Sequence, residues 1–186
     1  MKMTIRKGTF ETNSSSVHSI CISKSPVSNV KGQEIYFGLQ DYGWEFGEAD
    51  PATYLYTAIM CYDYDEDDGT NEAREMLDKL KSILDKYEID YTFQSYNEKD
   101  RGYYYIDHYS CLRDFLDTIL NDEDMLLRYL FGDSTIYTGN DNCTSETDHI
   151  SDCYIGREWY WDDNSCCQMP NPYHDEDNFD YFVKGN

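Results

Sequence analysis

Apolar residues recur along this chain with two periods, and the alternation between them predicts an α+β protein. Over Asn71–Tyr87, Met76, Leu77, Leu80, Ile83, Leu84 and Tyr87 fall at three- and four-residue steps, with charged residues between them. That spacing lines one face of an amphipathic helix. Pro51–Tyr62 repeats it with Leu55, Ala58, Ile59 and Tyr62, and Asp50-Pro51 supplies an acidic cap followed by proline at the first helical position. Ser110 is placed to cap a third helix through Leu120, with Leu112, Phe115, Leu116 and Ile119 inward. Asp122–Phe131 predicts a fourth, ended by Gly132.

Period two marks the strands. Residues 2–6 and 17–23 alternate and are β-branched, joined by the polar turn Thr12–Ser16. Ser23–Gly32 has loop composition, and Glu34–Leu39 reads as a further strand. Ile89–Tyr96 and Tyr103–Asp107 flank the turn Asn97–Gly102, which predicts a hairpin, and Ser134–Thr138 is a brief strand. Beyond Gly139 neither period persists. The expected organisation is an α+β domain over residues 1–140, with about four helices and a small mixed or antiparallel sheet. An acidic segment rich in Cys, His and Trp, residues 141–186, would pack on it.

Charge sharpens this picture. The chain carries a formal net charge of -22 over 186 residues, with 19 tyrosines. Residues 41–68 hold Asp41, Glu45, Glu48, Asp50, Asp63, Asp65, Glu66, Asp67 and Asp68 and no Lys or Arg. Residues 141–186 hold eleven carboxylates against Arg157 and Lys184, whereas residues 1–34 are mildly basic. Phosphate backbones and anionic headgroups are repelled by such a field, so direct nucleic-acid and membrane binding are not expected. A cationic protein groove is attracted, and tyrosine offers rigid amphipathic contact area. An acidic chain tuned only for solubility has the same composition. No run reaches membrane-spanning length and the opening MKMTIRKGTF lacks an apolar secretory stretch, so seven cysteines are expected as reduced thiols in the cytoplasm.

Three clusters invite chemistry. Cys143, His149, Cys153, Cys166, Cys167 and His174 offer soft ligands; Cys143, His149, Cys153 and Cys166 form the expected set for a structural zinc that would order the tail. Their spacing is not that of a known zinc motif, and thiols used as small apolar fillers are the alternative. Asp63, Asp65, Asp67 and Gly69 resemble half of a calcium loop, but Asp68 breaks the frame, which favours a solvated acidic turn at a helix start. Glu11–Ser19 gathers serines beside His18, although consecutive serines usually form a hydrogen-bonded turn.

The segment Arg6-Lys-Gly-Thr-Phe-Glu-Thr-Asn-Ser-Ser-Ser-Val-His-Ser19 resembles the opening of a family of small proteins encoded by phages and mobile elements of gut Firmicutes. Tyr105-Ile-Asp-His108 and Ser134-Thr-Ile-Tyr-Thr-Gly-Asn-Asp-Asn142 are similar to later segments of that family. Some of its members resemble anti-CRISPR inhibitors of type II effector nucleases, and an inhibitor of this kind is described as a zinc protein. The resemblance implies a non-enzymatic partner-binding protein acting on such an effector, with or without guide RNA. Effectors of that class hold nucleic acid in a positively charged channel. Carboxylates that impersonate phosphates would come from Asp63, Asp65, Glu66, Asp67 and Asp68, aided by Asp162, Asp163, Asp175, Glu176 and Asp177. Tyr103, Tyr104, Trp159 and Trp161 are candidate anchors. The competing expectation is an enzyme acting on a host molecule, built from Asn13, Ser14, His18, Asp107, His108 and Asp141.

Overall fold

Strand β1, Ser16–Ser23, is buried along its whole length, so both of its faces must be covered. A computed structural model shows how; it describes residues 16–43, 46–62, 70–97, 103–140, 152–162 and 164–185. The expected strand at 2–6 and the acidic turn at 63–69 lie outside these residues.

The elements follow in an α+β order. β1 is succeeded by β2 (Glu34–Phe37), β3 (Gly47–Ala49), α1 (Pro51–Cys61), α2 (Thr70–Lys86) and β4 (Asp90–Phe93). Then come α3 (Arg113–Asn121), α4 (Glu123–Phe131), β5 (Thr135–Asn140), β6 (Trp159–Asp162), β7 (Cys167–Pro170) and β8 (Phe179–Lys184). The principal sheet has the order β3-β5-β1-β8, with every neighbour antiparallel. Its last strand comes from the acidic segment, which therefore completes the sheet of the body it was expected to pack on.

Successive side chains on a strand point to opposite faces. Ile20 and Ile22 of β1 enter the main apolar cluster with Leu55, Ile59, Leu80, Leu116, Ile119, Leu126 and Tyr129. Helix α1 packs against β2 and against α2, α3 and α4, and eight of its side chains are buried. Asp50 caps it by accepting from the Thr53 amide at 2.8 Å, as the sequence predicts. Asp122 caps α4 in the same way through the Met125 amide at 3.0 Å. Helix α3 departs from expectation: a 3-10 turn, Tyr109–Leu112, leads into it, and Leu112 at the N-cap provides no capping side chain.

The opposite face is covered by the tail. Ser19 donates its hydroxyl to the Cys153 carbonyl at 2.6 Å and accepts from the Gly156 amide at 3.1 Å. Gly156 lies so close to the sheet that a Cβ there would meet Val183 Cγ2 at 2.7 Å. Arg128 then ties the layers at one edge, donating to the Ser23 carbonyl at 2.9 Å and to Asp180 at 3.0 Å.

The predicted hairpin of 89–96 with 103–107 does not form. β4 pairs instead with β2, in parallel, with Phe37 stacked on Phe93 at 4.6 Å between ring centres. Ile106 makes a single parallel bridge to Tyr42. Alternation identifies a strand but not its partner, and α1 and α2 supply the long crossover that a parallel pair requires.

Candidate functional site

Two places concentrate polar chemistry: a sealed cluster at the start of β1, and an open face built by the tail.

At the first, antiparallel pairing sets His18 between Lys184 and Thr138, and Asp107 reaches Ser16 of the same strand. The Ser16 amide donates to Asp107 Oδ2 at 3.2 Å, and the Ser16 hydroxyl donates to the Asp107 carbonyl at 3.1 Å. Lys184 Nζ donates to the Ser16 carbonyl at 2.5 Å and also contacts the Ser16 hydroxyl. His18 Nδ1 lies 2.8 Å from the Tyr54 hydroxyl on α1. Burial, with Lys184 second, lowers the imidazole pKa to about 3, so His18 is neutral. Burial likewise lowers the Lys184 pKa to about 8.

Ser16, His18 and Lys184 have no solvent exposure at all. Of the residues expected for an enzyme, His18 and Asp107 border this cluster, whereas His108 is half-exposed, its Nε2 3.8 Å from Asp107 Oδ1. His108 also adopts a positive φ of 54. Asn13, Ser14 and Asp141 lie outside the described residues. Lys184 escaped the sequence reading. Its one signal was its place as the only lysine of residues 141–186.

The second place is the tail's outer face. β6 and β7 form an antiparallel hairpin in which Trp159 opposes Pro170 and Trp161 opposes Gln168. Trp159 is 47% exposed, Trp161 58% and the nearby Tyr173 55%. Single exposed aromatics are ordinary; two tryptophans on one strand face join into a larger exposed apolar patch. Tyr103 is exposed too, but Tyr104 packs on the core and accepts from Gln94 at 3.1 Å.

Beside the base of this hairpin is a recess of about 450 Å³ bordered by Glu158, His174, Glu176, Asp177, Asp180 and Tyr181, with Lys24 at its rim. His174 stacks on Tyr181 at 4.5 Å between ring centres, and its Nε2 is 3.1 Å from Glu176. Asp175 is held below the ordinary carboxylate range by Asn178, whose side-chain amide donates to it at 2.8 Å. Asp162, at the far end of β6, is lowered chiefly by the Ser165 side chain, and the Asn164 and Ser165 amides also donate to it at 3.3 and 3.1 Å. Both carboxylates order turns as well as carrying charge. Glu176 and Asp177 border the recess, while Asp162 is at the hairpin's other end. The expected partner residues Asp63, Asp65, Glu66, Asp67, Asp68 and Asp163 lie outside the described residues.

The expected zinc set is altered. Cys153 is buried and disulfide-bonded, so it presents no thiolate, and its bond also departs from the expectation of uniformly reduced thiols. Cys166 is exposed at the β6–β7 turn with a positive φ of 50. Cys143 and His149 lie outside the described residues. Among the described residues no three His, Cys, Asp or Glu side chains converge as a metal group, and no helix is long and apolar enough to cross a membrane.

Comparison with protein-family models, with curated proteins and with solved structures yields no match.

Proposed function

We propose that this chain is a non-enzymatic binding protein that presses its tail face against a cationic protein surface, and that the surface belongs to a type II CRISPR effector nuclease. The observation that carries the reading is the tail's pairing of Trp159 and Trp161, both exposed, with a carboxylate-bordered recess at the same hairpin's base. Buried aromatic anchors rimmed by charge are the usual composition of binding hot spots. A net charge of -22 speeds encounter with a positively charged channel, and carboxylates there displace phosphates without any bond being made or broken. The resemblance of the opening segment to a family encoded by phages and mobile elements, some of whose members resemble anti-CRISPR inhibitors, supplies the choice of effector.

Pull-down from cells holding a type II effector, with and without guide RNA, tests this directly. Capture of the effector, and its loss when target DNA already fills the channel, is the expected result. Capture that ignores bound DNA would remove the mimicry, and no capture of either form would remove the effector.

The Ser16–Lys184 contact favours a second reading, because a lysine with its pKa lowered to about 8 is able to accept a serine proton. Both residues are sealed from solvent, which leaves substrate no approach and makes binding the leading reading. Ser16→Ala in a folded, effector-binding protein separates the two: inhibition persists under the first and vanishes under the second.

A further inference from the structure

The β6–β7 hairpin has a second face, opposite its tryptophans, and that face is rich in sulfur. Cys167 and Met169 are two residues apart on β7, so their side chains share a side of the ribbon. Asp162 is directly across from Cys167, and Tyr160 across from Met169. Cys167 Sγ is 3.8 Å from Met169 Sδ, and the Ser165 hydroxyl is 3.0 Å from the same thiol. Cys166 adds a second exposed thiol at the adjoining turn. Every residue from Asn164 to Pro170 is exposed.

Two sulfurs bonded to one ion at about 2.3 Å, with an angle of roughly 110–120° at the metal, are separated by about 3.8–4.0 Å. The observed spacing matches that chord without rearrangement of the strand. Thioether sulfur is a poor ligand for zinc and calcium but a good one for a soft monovalent ion, and thiolate with thioether selects Cu(I). We infer that Cys167 and Met169 form a surface site for Cu(I). Binding releases the Cys167 thiol proton to solvent and leaves the metal's oxidation state unchanged. The alternative use of these residues, filling space, fails on exposure: neither side chain is packed into the core.

The test is an anaerobic titration of the full chain, disulfide at Cys153 intact, with Cu(I) in competition with a chromogenic Cu(I) chelator. One equivalent per chain is expected, together with a thiolate-to-copper absorption band in the ultraviolet. Cys167→Ser combined with Met169→Leu should weaken binding at least tenfold while circular dichroism stays unchanged. Cys111→Ser, at an exposed thiol on the 3-10 turn before α3, should leave it intact. Unaltered affinity in the double variant overturns the assignment, as does loss of binding in Cys111→Ser. Equal retention of zinc by the same donors overturns the selectivity.

Discussion

The two faces of the principal sheet are buried by different means. On the helical side, Ile20 and Ile22 disappear into a continuous apolar cluster with side chains from all four helices. On the tail side, Ser19 holds the chain through paired hydrogen bonds, Gly156 permits close approach, and Asn171 stitches the covering loop together. Asn171 is buried and donates to the Arg157 carbonyl at 2.9 Å, with longer contacts to the Tyr154 and Ile155 carbonyls. Its own side-chain oxygen accepts from the Tyr173 amide at 2.9 Å. One face is stabilised by area removed from water, the other by satisfied polar groups in fixed positions. The first tolerates apolar exchange of similar volume; the second depends on particular atoms.

Breaking the helical side should cost most. Leu55→Ala empties a fully buried position and is expected to destabilise by about 3–4 kcal/mol in urea or guanidinium unfolding. A loss under about 1 kcal/mol would mean that α1 is not the centre of the core. On the tail side, Gly156→Ala pushes a methyl into Val183, a stiff β-branched neighbour, and should cost about 1–3 kcal/mol. Asn171→Ala should fall in the same range, since it empties a buried polar position and strips donors from part-buried carbonyls. If both variants unfold as wild type does, the tail is a loose cover and not a third layer.

These losses also show what the sequence discloses. The helical side was legible because its burial repeats every three to four residues, as at Met76, Leu80 and Leu84, and because Asp50 and Asp122 are cap residues ahead of apolar runs. The tail side was not. Asn171 and Gly156 act through backbone atoms, which leave no period, and β8 earned no signal because its six residues, FDYFVK, mix charge with aromatics. Strand β3 is only three residues long. The tail's tryptophans were legible as candidate anchors; their shared face was not, because no period marked residues 159–162 as a strand. Pairing partners are set by tertiary context, so the parallel β2–β4 match was invisible, and so was the meeting of Ser16 with Lys184.

The sealed cluster between the layers has its own pH signature. Lys184 titrates near 8 when folded and near 10.5 when unfolded, so between these values the unfolded chain binds the additional proton. Stability attributable to Lys184 therefore rises with pH across that window, with a slope of at most about 1.4 kcal/mol per pH unit. Burial raises the Cys21 thiol to about 12 and the Cys61 thiol to about 11, which opposes this trend above the ordinary thiol range. The effect is thus read as the difference between wild type and Lys184→Met, which should shrink from pH 8 to pH 10 relative to its size at neutral pH if the variant gains by losing a buried charge. A difference that is flat with pH would place the lysine's titration outside the folding equilibrium.

Smallest of all in stability should be the hairpin's outer face. Trp159→Ala with Trp161→Ala is expected to change unfolding by less than about 0.5 kcal/mol, as exposed positions do. The same pair should abolish effector capture. Substantial destabilisation would mean that the tryptophans serve the fold, and the contrast between a structural inner face and a binding outer face would disappear.

In the proposed binding mode, carboxylates around the tail recess steer the chain to a cationic partner. Its most direct test is the association rate with a guide-loaded type II effector, measured across a salt series for wild type and for Glu158→Gln/Glu176→Gln/Asp177→Asn. Steering requires a wild-type rate that falls steeply as salt rises, and a variant that associates several-fold more slowly at low salt and converges with wild type at high salt. Equal rates for the two proteins at every salt concentration would contradict it.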